Sequence, residues 1–238
     1  MLIALILLIT QCNSDDDDPI VGTAASPTPT VATTETPVTP VTSDASGPIA
    51  QWKFNGDAAD ATGNGHDATA LGDVQYSGGA AILDGIDDAF SVPDAPDLNP
   101  TDAITVAAWW TAADFVGAGN NALVDKAFTS HVAPHYQYHL GVTGTGYVDG
   151  GNFGFWIAAD GAPASAFGSG WTAGELYHVL GTYDGSEVRL YVNGVLDAAK
   201  PASGSMTNYG GDVFVARFGN LDQQEVHFIP GEMAEVTI

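Results

Sequence analysis

A loop-like stretch near residue 60 carries the oxygen-rich side chains that calcium prefers. The segment FNGDAADATGNGHD, residues 54–67, places Asp57, Asp60, Asn64 and Asp67 among three glycines. Calcium takes six to eight oxygen ligands at about 2.3–2.6 Å, and a flexible loop of this composition can wrap one ion. Asp and Asn also cap tight turns. The sequence therefore leaves two interpretations open, a calcium site and a set of turn caps.

Three histidines recur at intervals of four in HVAPHYQYH, residues 131–139. On a helix this spacing would suit zinc, but Pro134 argues against a helix at this position. On a strand, His135 and His139 share one face with Gln137. We therefore expect a polar and aromatic sheet face here rather than a zinc site.

The same alternation on other strands predicts a sheet face that binds a sugar. Trp156 points away from its phenylalanine neighbours, and Arg189 and Tyr191 point away from the two valines and the leucine beside them. Trp109 and Trp110 must face opposite ways, and we assign Trp110 to the outer face. Aromatic rings stack on sugar C–H groups while polar groups bind hydroxyls. The predicted ligand-binding residues are His139, Trp156, Arg189, Tyr191 and Trp110.

Two alternatives remain for this predicted face. A neighbouring loop can cover the same side chains and turn them into a minor core. The loop tips at 111–121 and 143–152 are equally good candidates for a binding rim, because binding residues concentrate on loops.

Short strand-like runs recur through residues 49–238, separated by Gly, Asp or Pro. The 29 Gly and the excess of 23 Asp over six Glu favour turns over helices. One Asp-rich stretch, DGIDD at 84–88, is interpreted as a turn between two runs. The sequence predicts an all-β domain, built as a two-sheet antiparallel sandwich. The eleven runs are 49–54, 80–85, 90–93, 104–110, 122–127, 136–142, 153–158, 177–184, 187–196, 213–219 and 231–238.

The chain is strongly acidic, with a formal net charge of −24 and only five Lys plus Arg. Such a surface repels phosphate backbones, so we expect no nucleic-acid partner. The charge favours cations, but general solubility or adaptation to a salty medium explains it equally well.

The N-terminal part resembles an export and anchoring segment. The apolar run at 2–9 suits the hydrophobic region of a signal peptide. ITQC, residues 9–12, is similar to a bacterial lipoprotein cleavage box and makes Cys12 the candidate lipidation site. An ordinary secretory signal with an unmodified cysteine is the alternative. Residues 13–48 are acidic and then rich in Thr and Pro, which predicts a disordered, extended stalk.

Two segments carry a resemblance to a known family. They are LDGIDDAFSVPDAPDLNPTDAITVAAWW at 83–110 and LYHVLGTYDGSEVRLYVNGVLD at 176–197, with a similar opening at 52–69. They resemble the laminin-G-like branch of the concanavalin A-like lectin/glucanase superfamily. The resemblance covers residues 49–238 and implies a jelly-roll sandwich. Members of the family bind sugars, proteins or no known ligand.

The resemblance bears on calcium binding, on the last strand and on catalysis. The first and last strands should lie close together, so Glu235 could join Asp57, Asp60 and Asn64 around a structural calcium. Ala234 replaces the acidic residue that the family usually places before this glutamate, and the family tends to continue a few residues beyond this strand. Glucanases of this fold carry two glutamates flanking an aspartate on one strand, and none of the six glutamates here forms that triplet.

The nearest pair, Glu232 and Glu235, is three residues apart and is expected on opposite faces of a regular strand. We therefore predict a non-catalytic, exported domain, displayed as a lipoprotein or secreted, that binds an extracellular glycan or a surface protein. The protein would contact a membrane only through a lipid attached to Cys12. A structural or protein-adhesion module without sugar binding is the alternative.

Overall fold

The computed structural model describes residues 47–113, 120–128, 135–144, 151–219 and 226–238. Cys12, the stalk and His131 lie outside these ranges, so lipidation, export and the stalk stay predictions. No helix in the described ranges is long and apolar enough to cross a membrane. In these ranges the chain forms a 3-10 helix, Pro96–Leu98, and seventeen strands. The strands are β1 Gln51–Trp52, β2 Thr69–Leu71, β3 Gln75–Ser77, β4 Ala80–Leu83, β5 Ala89–Val92, β6 Ile104–Ala112, β7 Asn121–Phe128, β8 Tyr136–Val142, β9 Asn152–Ala159, β10 Ala162–Gly170, β11 Leu176–Tyr183, β12 Glu187–Val192, β13 Val195–Pro201, β14 Val213–Val215, β15 Arg217–Gly219, β16 Val226–Phe228 and β17 Gly231–Thr237.

Two antiparallel sheets form a sandwich, which confirms the predicted all-β fold. The eight-stranded sheet has the order β13-β12-β11-β6-β17-β4-β3, with β1 paired to β17. The seven-stranded sheet has the order β10-β9-β8-β7-β14-β5-β2. In the described part of the chain, β15 and β16 pair only with each other and pack against β7.

The main core lies between the two sheets and follows from the alternation along each strand. On β6, Ala108 and Trp110 point inward and are buried, as are Phe153 and Phe155 on β9. Trp110 meets Phe153 edge-on, with ring centroids 6.4 Å apart. Replacing a core aromatic of this size with alanine typically costs about 3–5 kcal/mol. These inward rings therefore hold the two layers together.

The first and last strands of the domain are hydrogen-bonded neighbours. Gln51 on β1 lies opposite Thr237 on β17, and the Ile49 amide donates to the Ile238 carbonyl at 2.7 Å. This agrees with the closeness that the family resemblance implies. β17 also pairs with β6 on one side and with β4 on the other, so it lies inside the eight-stranded sheet.

Candidate functional site

The adjacent tryptophans of β6 face opposite ways, as expected, but their assignment to faces was reversed. Trp110 is fully buried, and its indole Nε1 donates to the Pro230 carbonyl at 3.2 Å. Trp109 is the outward member and is 39% exposed. Trp110 therefore offers no surface to a ligand. The signal was in the sequence: Trp109 is in phase with Thr105 and Thr111, which mark the polar side of β6.

His139 and Trp156 meet on the outer face of the seven-stranded sheet, but both are buried there. They are direct cross-strand partners with ring centroids 4.7 Å apart. Tyr136 and Phe218 close over them to form a second hydrophobic cluster. Gly154 allows this packing, because a Cβ at that position would collide with the Trp156 ring. The structure thus gives these two residues the minor-core arrangement that was the alternative.

A buried polar pair lies beneath this cluster. Nδ1 of His139 is 3.0 Å from Oδ1 of Asp125, and both side chains are fully buried. Burial raises the pKa of Asp125, while the hydrogen bond to His139 and the charge of Arg217 act in the opposite direction. A buried acid needs such partners. His139 therefore serves this carboxylate within the fold rather than facing solvent.

Arg189 and Tyr191 belong to the other sheet, so the expectation of one face that unites all five residues is wrong. Both lie on β12, on the outer face of the eight-stranded sheet. Arg189 is 2.6 Å from carboxylate oxygens of both Asp184 and Glu187. The hydrogen bond to Asp184 raises the pKa of Arg189. Tyr191 is half-buried and faces the neighbouring strand β11.

An open aromatic surface, here called the outer platform, lies on β6, β11 and β12. It consists of Trp109, His178, Leu180 and Tyr191. The rings of Trp109 and His178 stack at 4.6 Å with an interplanar angle of 26°. Next to them is a hollow of about 360 Å³, within the size range of small-molecule sites. Its walls are Thr105, His178, Leu180, Thr182, Tyr191 and Gly194.

Strand register and one tight turn position the outer platform. His178 lies opposite Trp109, and Leu180 lies opposite Tyr191. The Asn193-Gly194 turn has positive φ at both residues, as a type I′ hairpin turn requires. The Asn193 side-chain oxygen accepts a hydrogen bond from the His178 amide at 2.9 Å. The turn that closes the β12–β13 hairpin therefore also fixes His178.

A β-bulge in β17 brings two glutamates to the same side of the sheet as the outer platform. Glu232 lies opposite Thr111 and Glu235 opposite Trp109, with the register shifting between Met233 and Glu235. The extra residue, Ala234, resets the alternation, because a bulge places two residues opposite one. The expectation that Glu232 and Glu235 face opposite ways is therefore wrong.

The 54–67 loop is held together by hydrogen bonds to Asp60. Its carboxylate accepts from the amides of Gln51, Thr62 and His66 and from the Thr62 hydroxyl. Burial alone would raise the pKa of Asp60, but these hydrogen bonds lower it to about 2. Donors directed at both oxygens occupy the positions that a cation would need.

The other proposed calcium ligands make similar local contacts. Asp57 accepts from the Ala59 amide, and the Asn64 side chain donates to the Ile49 carbonyl at 2.8 Å. Glu235 accepts from the Gln51 side chain at 3.0 Å. These contacts match the turn-cap interpretation, and calcium binding stays a prediction.

Three other carboxylates, on Asp84, Asp87 and Asp88, lie within 4.8 Å of one another in the described residues. Asp84 accepts hydrogen bonds from the amides of Ile86 and Asp87, and Asp88 accepts from the Asp84 amide. These bonds close a tight loop between β4 and β5, in agreement with the turn predicted for DGIDD.

Comparison with known proteins supports the fold seen in the structure. A sequence model of the concanavalin A-like lectin/glucanases superfamily, of laminin-G type, matches residues 84–238, more than half of the chain. No curated protein matches the chain in sequence.

Solved structures with the same architecture include sugar-binding domains. Domain 4 of AbnA, an extracellular arabinanase of Geobacillus stearothermophilus solved with arabinotriose, has a TM-score of 0.58 at 19% identity, over 80% of this chain and 90% of that one. The botulinum neurotoxin serotype C1 binding domain has a TM-score of 0.56 at 13% identity, over 80% and 46%. Trypanosoma rangeli sialidase, solved with sialic acid, has a TM-score of 0.53 at 14% identity, over 79% and 30%. At these identities the likeness shows the fold alone, and this chain spans under half of the last two.

Proposed function

Because the chain belongs to the concanavalin A-like lectin/glucanase superfamily, we propose that it is a non-catalytic module that binds carbohydrate on the outer platform. The observation that carries the proposal is the exposed Trp109 ring, stacked on His178 beside an open hollow. The arabinanase domain solved with arabinotriose supports the ligand class, since it has the same fold. The apolar run at 2–9 supports export, so the ligand would be extracellular.

The chemistry of the outer platform suits a sugar. Exposed aromatic rings bind the C–H face of a pyranose or furanose, while nearby polar groups bind its hydroxyls. Thr105 and Thr182 line the hollow with hydroxyl groups, and the phenol of Tyr191 adds a donor. Leu180 adds apolar surface to the lining of the hollow. Both requirements are thus met on neighbouring strands.

The surroundings of the two glutamates support binding rather than hydrolysis. A glycosidase holds two carboxyl groups on either side of the bond that it cleaves, inside a site that encloses the sugar. Glu232 is exposed, and Glu235 accepts hydrogen bonds from Gln51 and Thr237. Glu235 is thus engaged by its neighbours in the fold, and Glu232 lies open to solvent rather than in an enclosed pocket.

Adhesion to a protein is the second candidate function. Leu176 on β11 and Leu196 on β13 are exposed apolar side chains, and they lie opposite Thr111 and Tyr191 on the outer face of the sheet. Exposed apolar patches mark protein interfaces, so a protein partner would use this border of the outer platform.

A glycan array and isothermal titration test the proposal with three purified variants. Trp109→Ala and Tyr191→Ala should each weaken sugar binding about tenfold or more, because each removes stacking surface. Trp156→Phe is the matched control, since that tryptophan is buried on the other sheet and its loss should leave affinity unchanged.

Three results would contradict carbohydrate binding on the outer platform. Unchanged sugar affinity in Trp109→Ala would show that the outer platform is not the binding site. Loss of binding in a folded Trp156→Phe would move the site to the seven-stranded sheet. A wild-type protein that binds no glycan on the array would leave protein adhesion as the function.

A further inference from the structure

The β17 bulge gives the outer platform a charged border, and this border bears on which sugars it accepts. Glu235 lies directly across from Trp109, and Glu232 lies across from Thr111, two residues further along β6. The two glutamates are thus separated by about 7 Å of strand. Both side chains share the outer face with Trp109, since directly paired residues of antiparallel strands point the same way.

We propose that the outer platform selects neutral, hydroxyl-rich glycans and rejects anionic ones, with Glu232 and Glu235 as the residues that determine this selectivity. The inference rests on the proposed carbohydrate-binding function and goes beyond it by naming the class of sugar. An ionised carboxylate accepts hydrogen bonds from adjacent hydroxyls. The same charge repels the carboxylate of a sialic or uronic acid.

The distribution of cations supports this selectivity. On the four strands β6, β11, β12 and β17, Arg189 is the only Lys or Arg. Its guanidinium is bound by Asp184 and Glu187 at 2.6 Å each. An acidic sugar would have to displace one of these carboxylates to gain a charged partner. Recognition of carboxylates usually depends on an available arginine or lysine.

Glu235 is also held in a fixed position. Its Oε1 accepts hydrogen bonds from the Gln51 side chain at 3.0 Å and from the Thr237 hydroxyl at 3.3 Å. These partners lie on β1 and on β17 itself, so the carboxylate is ordered without using Trp109 or His178. Pre-ordered acceptors lower the entropy cost of binding a hydroxyl group.

The experiment compares neutral and acidic probes at low salt. The neutral probes are arabinotriose, cellotetraose and lactose, and the acidic ones are sialyllactose and tetragalacturonic acid. Wild-type protein should bind at least one neutral probe, and it should bind both acidic probes at least tenfold more weakly than that probe. The double variant Glu232→Gln/Glu235→Gln should reduce the ratio of neutral-probe affinity to acidic-probe affinity several-fold. Glutamine keeps an acceptor oxygen but not the charge.

Asp73→Asn/Asp102→Asn is the matched control, since it removes two exposed charges outside the four strands. It should leave the ratio of neutral to acidic affinity unchanged, whereas 0.5 M NaCl should reduce this ratio for the wild type by screening.

Equal binding of neutral and acidic probes, with affinity that depends on Trp109, would overturn the selectivity and leave the proposed function standing. An equal effect of the control variant would also overturn the assignment to Glu232 and Glu235. Absence of binding to every probe would overturn the proposed function and this inference together.

Discussion

Asp60 shows how a single carboxylate can organise a loop of many turns. The side chain is only 8% exposed and accepts hydrogen bonds from Gln51, Thr62 and His66. The Asp60 amide in turn donates to Asp67 at 2.8 Å. One residue thereby ties β1 to both ends of the turn that follows it, so its charge state should affect the stability of the whole domain.

Asp60→Asn should reduce the free energy of unfolding at pH 7 by about 2 kcal/mol. The pKa falls from 3.8 to about 2 on folding, so the stabilisation is present above pH 3.8 and is lost as the pH falls through about 2. The difference between wild type and variant should therefore shrink below pH 4. Urea unfolding at pH 7 and at pH 2.5 measures it.

The same variant also tests calcium. We expect an equal loss of stability in EDTA and in millimolar calcium, because the Asp60 oxygens already accept protein hydrogen bonds. A loss seen only with calcium present would assign this carboxylate to an ion and favour the calcium-site interpretation of the loop over the turn-cap interpretation.

Single residues also mark the limit of what the sequence could predict about the site. The split between Trp109 and Trp110 followed from strand alternation, and Tyr191 was correctly placed away from the core. The burial of His139 and Trp156 did not follow, since it depends on Phe218, which is some 60–80 residues further along the chain. No local pattern predicts which sheet face a distant hairpin will cover.

The bulge in β17 is a one-residue insertion with a defined effect on the strand. Met233 and Val236 are both buried although they are three residues apart, so two residues between them face outward. Without Ala234, inward and outward side chains would alternate along β17 without interruption. The bulged residue, Ala234, has no register partner on β6.

Deleting Ala234 should therefore be tolerated. Glu235 would stay opposite Trp109, Val236 would stay in the core, and Tm should fall by only a few degrees. Deleting Ala108 from β6 is the matched control, because it shifts a regular strand by one residue and reverses the faces of all residues beyond it. Thermal unfolding followed by circular dichroism distinguishes the two. A collapse of Tm in the Ala234 deletion equal to that of the control would contradict the bulge assignment.

At the scale of elements, the sequence predicted the central strands and missed the edges. β2, β3 and β10 were not predicted, and β13 was merged with β12; these four are the outer strands of the two sheets. In the separate pair of strands, β16 was also missed and β15 was merged with β14. Edge strands pair on one side only and tolerate Pro and Gly. β10, APASAFGSG, is an example, since its pairing with β9 makes it a strand in spite of its composition.

At the scale of the molecule, most of the few cations are already engaged. Lys126 and Arg217 are buried, with Lys126 bound to Asp94, and Arg189 is held by two carboxylates. Lys53 and Lys200 are exposed. The described residues therefore carry a large excess of negative charge, most of it on exposed or half-buried side chains, and repulsion between like charges destabilises a compact state.

Raising NaCl from 0.05 M to 0.5 M should increase Tm by several degrees, because salt screens this repulsion. A differential scanning calorimetry series at pH 7 measures the effect. Sucrose at equal osmolality is the control, since it stabilises by exclusion from the surface without screening charge. A Tm that is flat or falling in salt would show that local ion pairs outweigh the net charge.

The position of β17 has a consequence for the order in which this domain can be made. Its neighbours β6, β4 and β1 precede it by more than a hundred residues, yet it lies between them and joins the two halves of the eight-stranded sheet. During synthesis those halves emerge first, each with an unpaired edge and no strand to bridge them. Folding of the domain should therefore be delayed until its last strand has left the ribosome, since contacts of such long range form slowly.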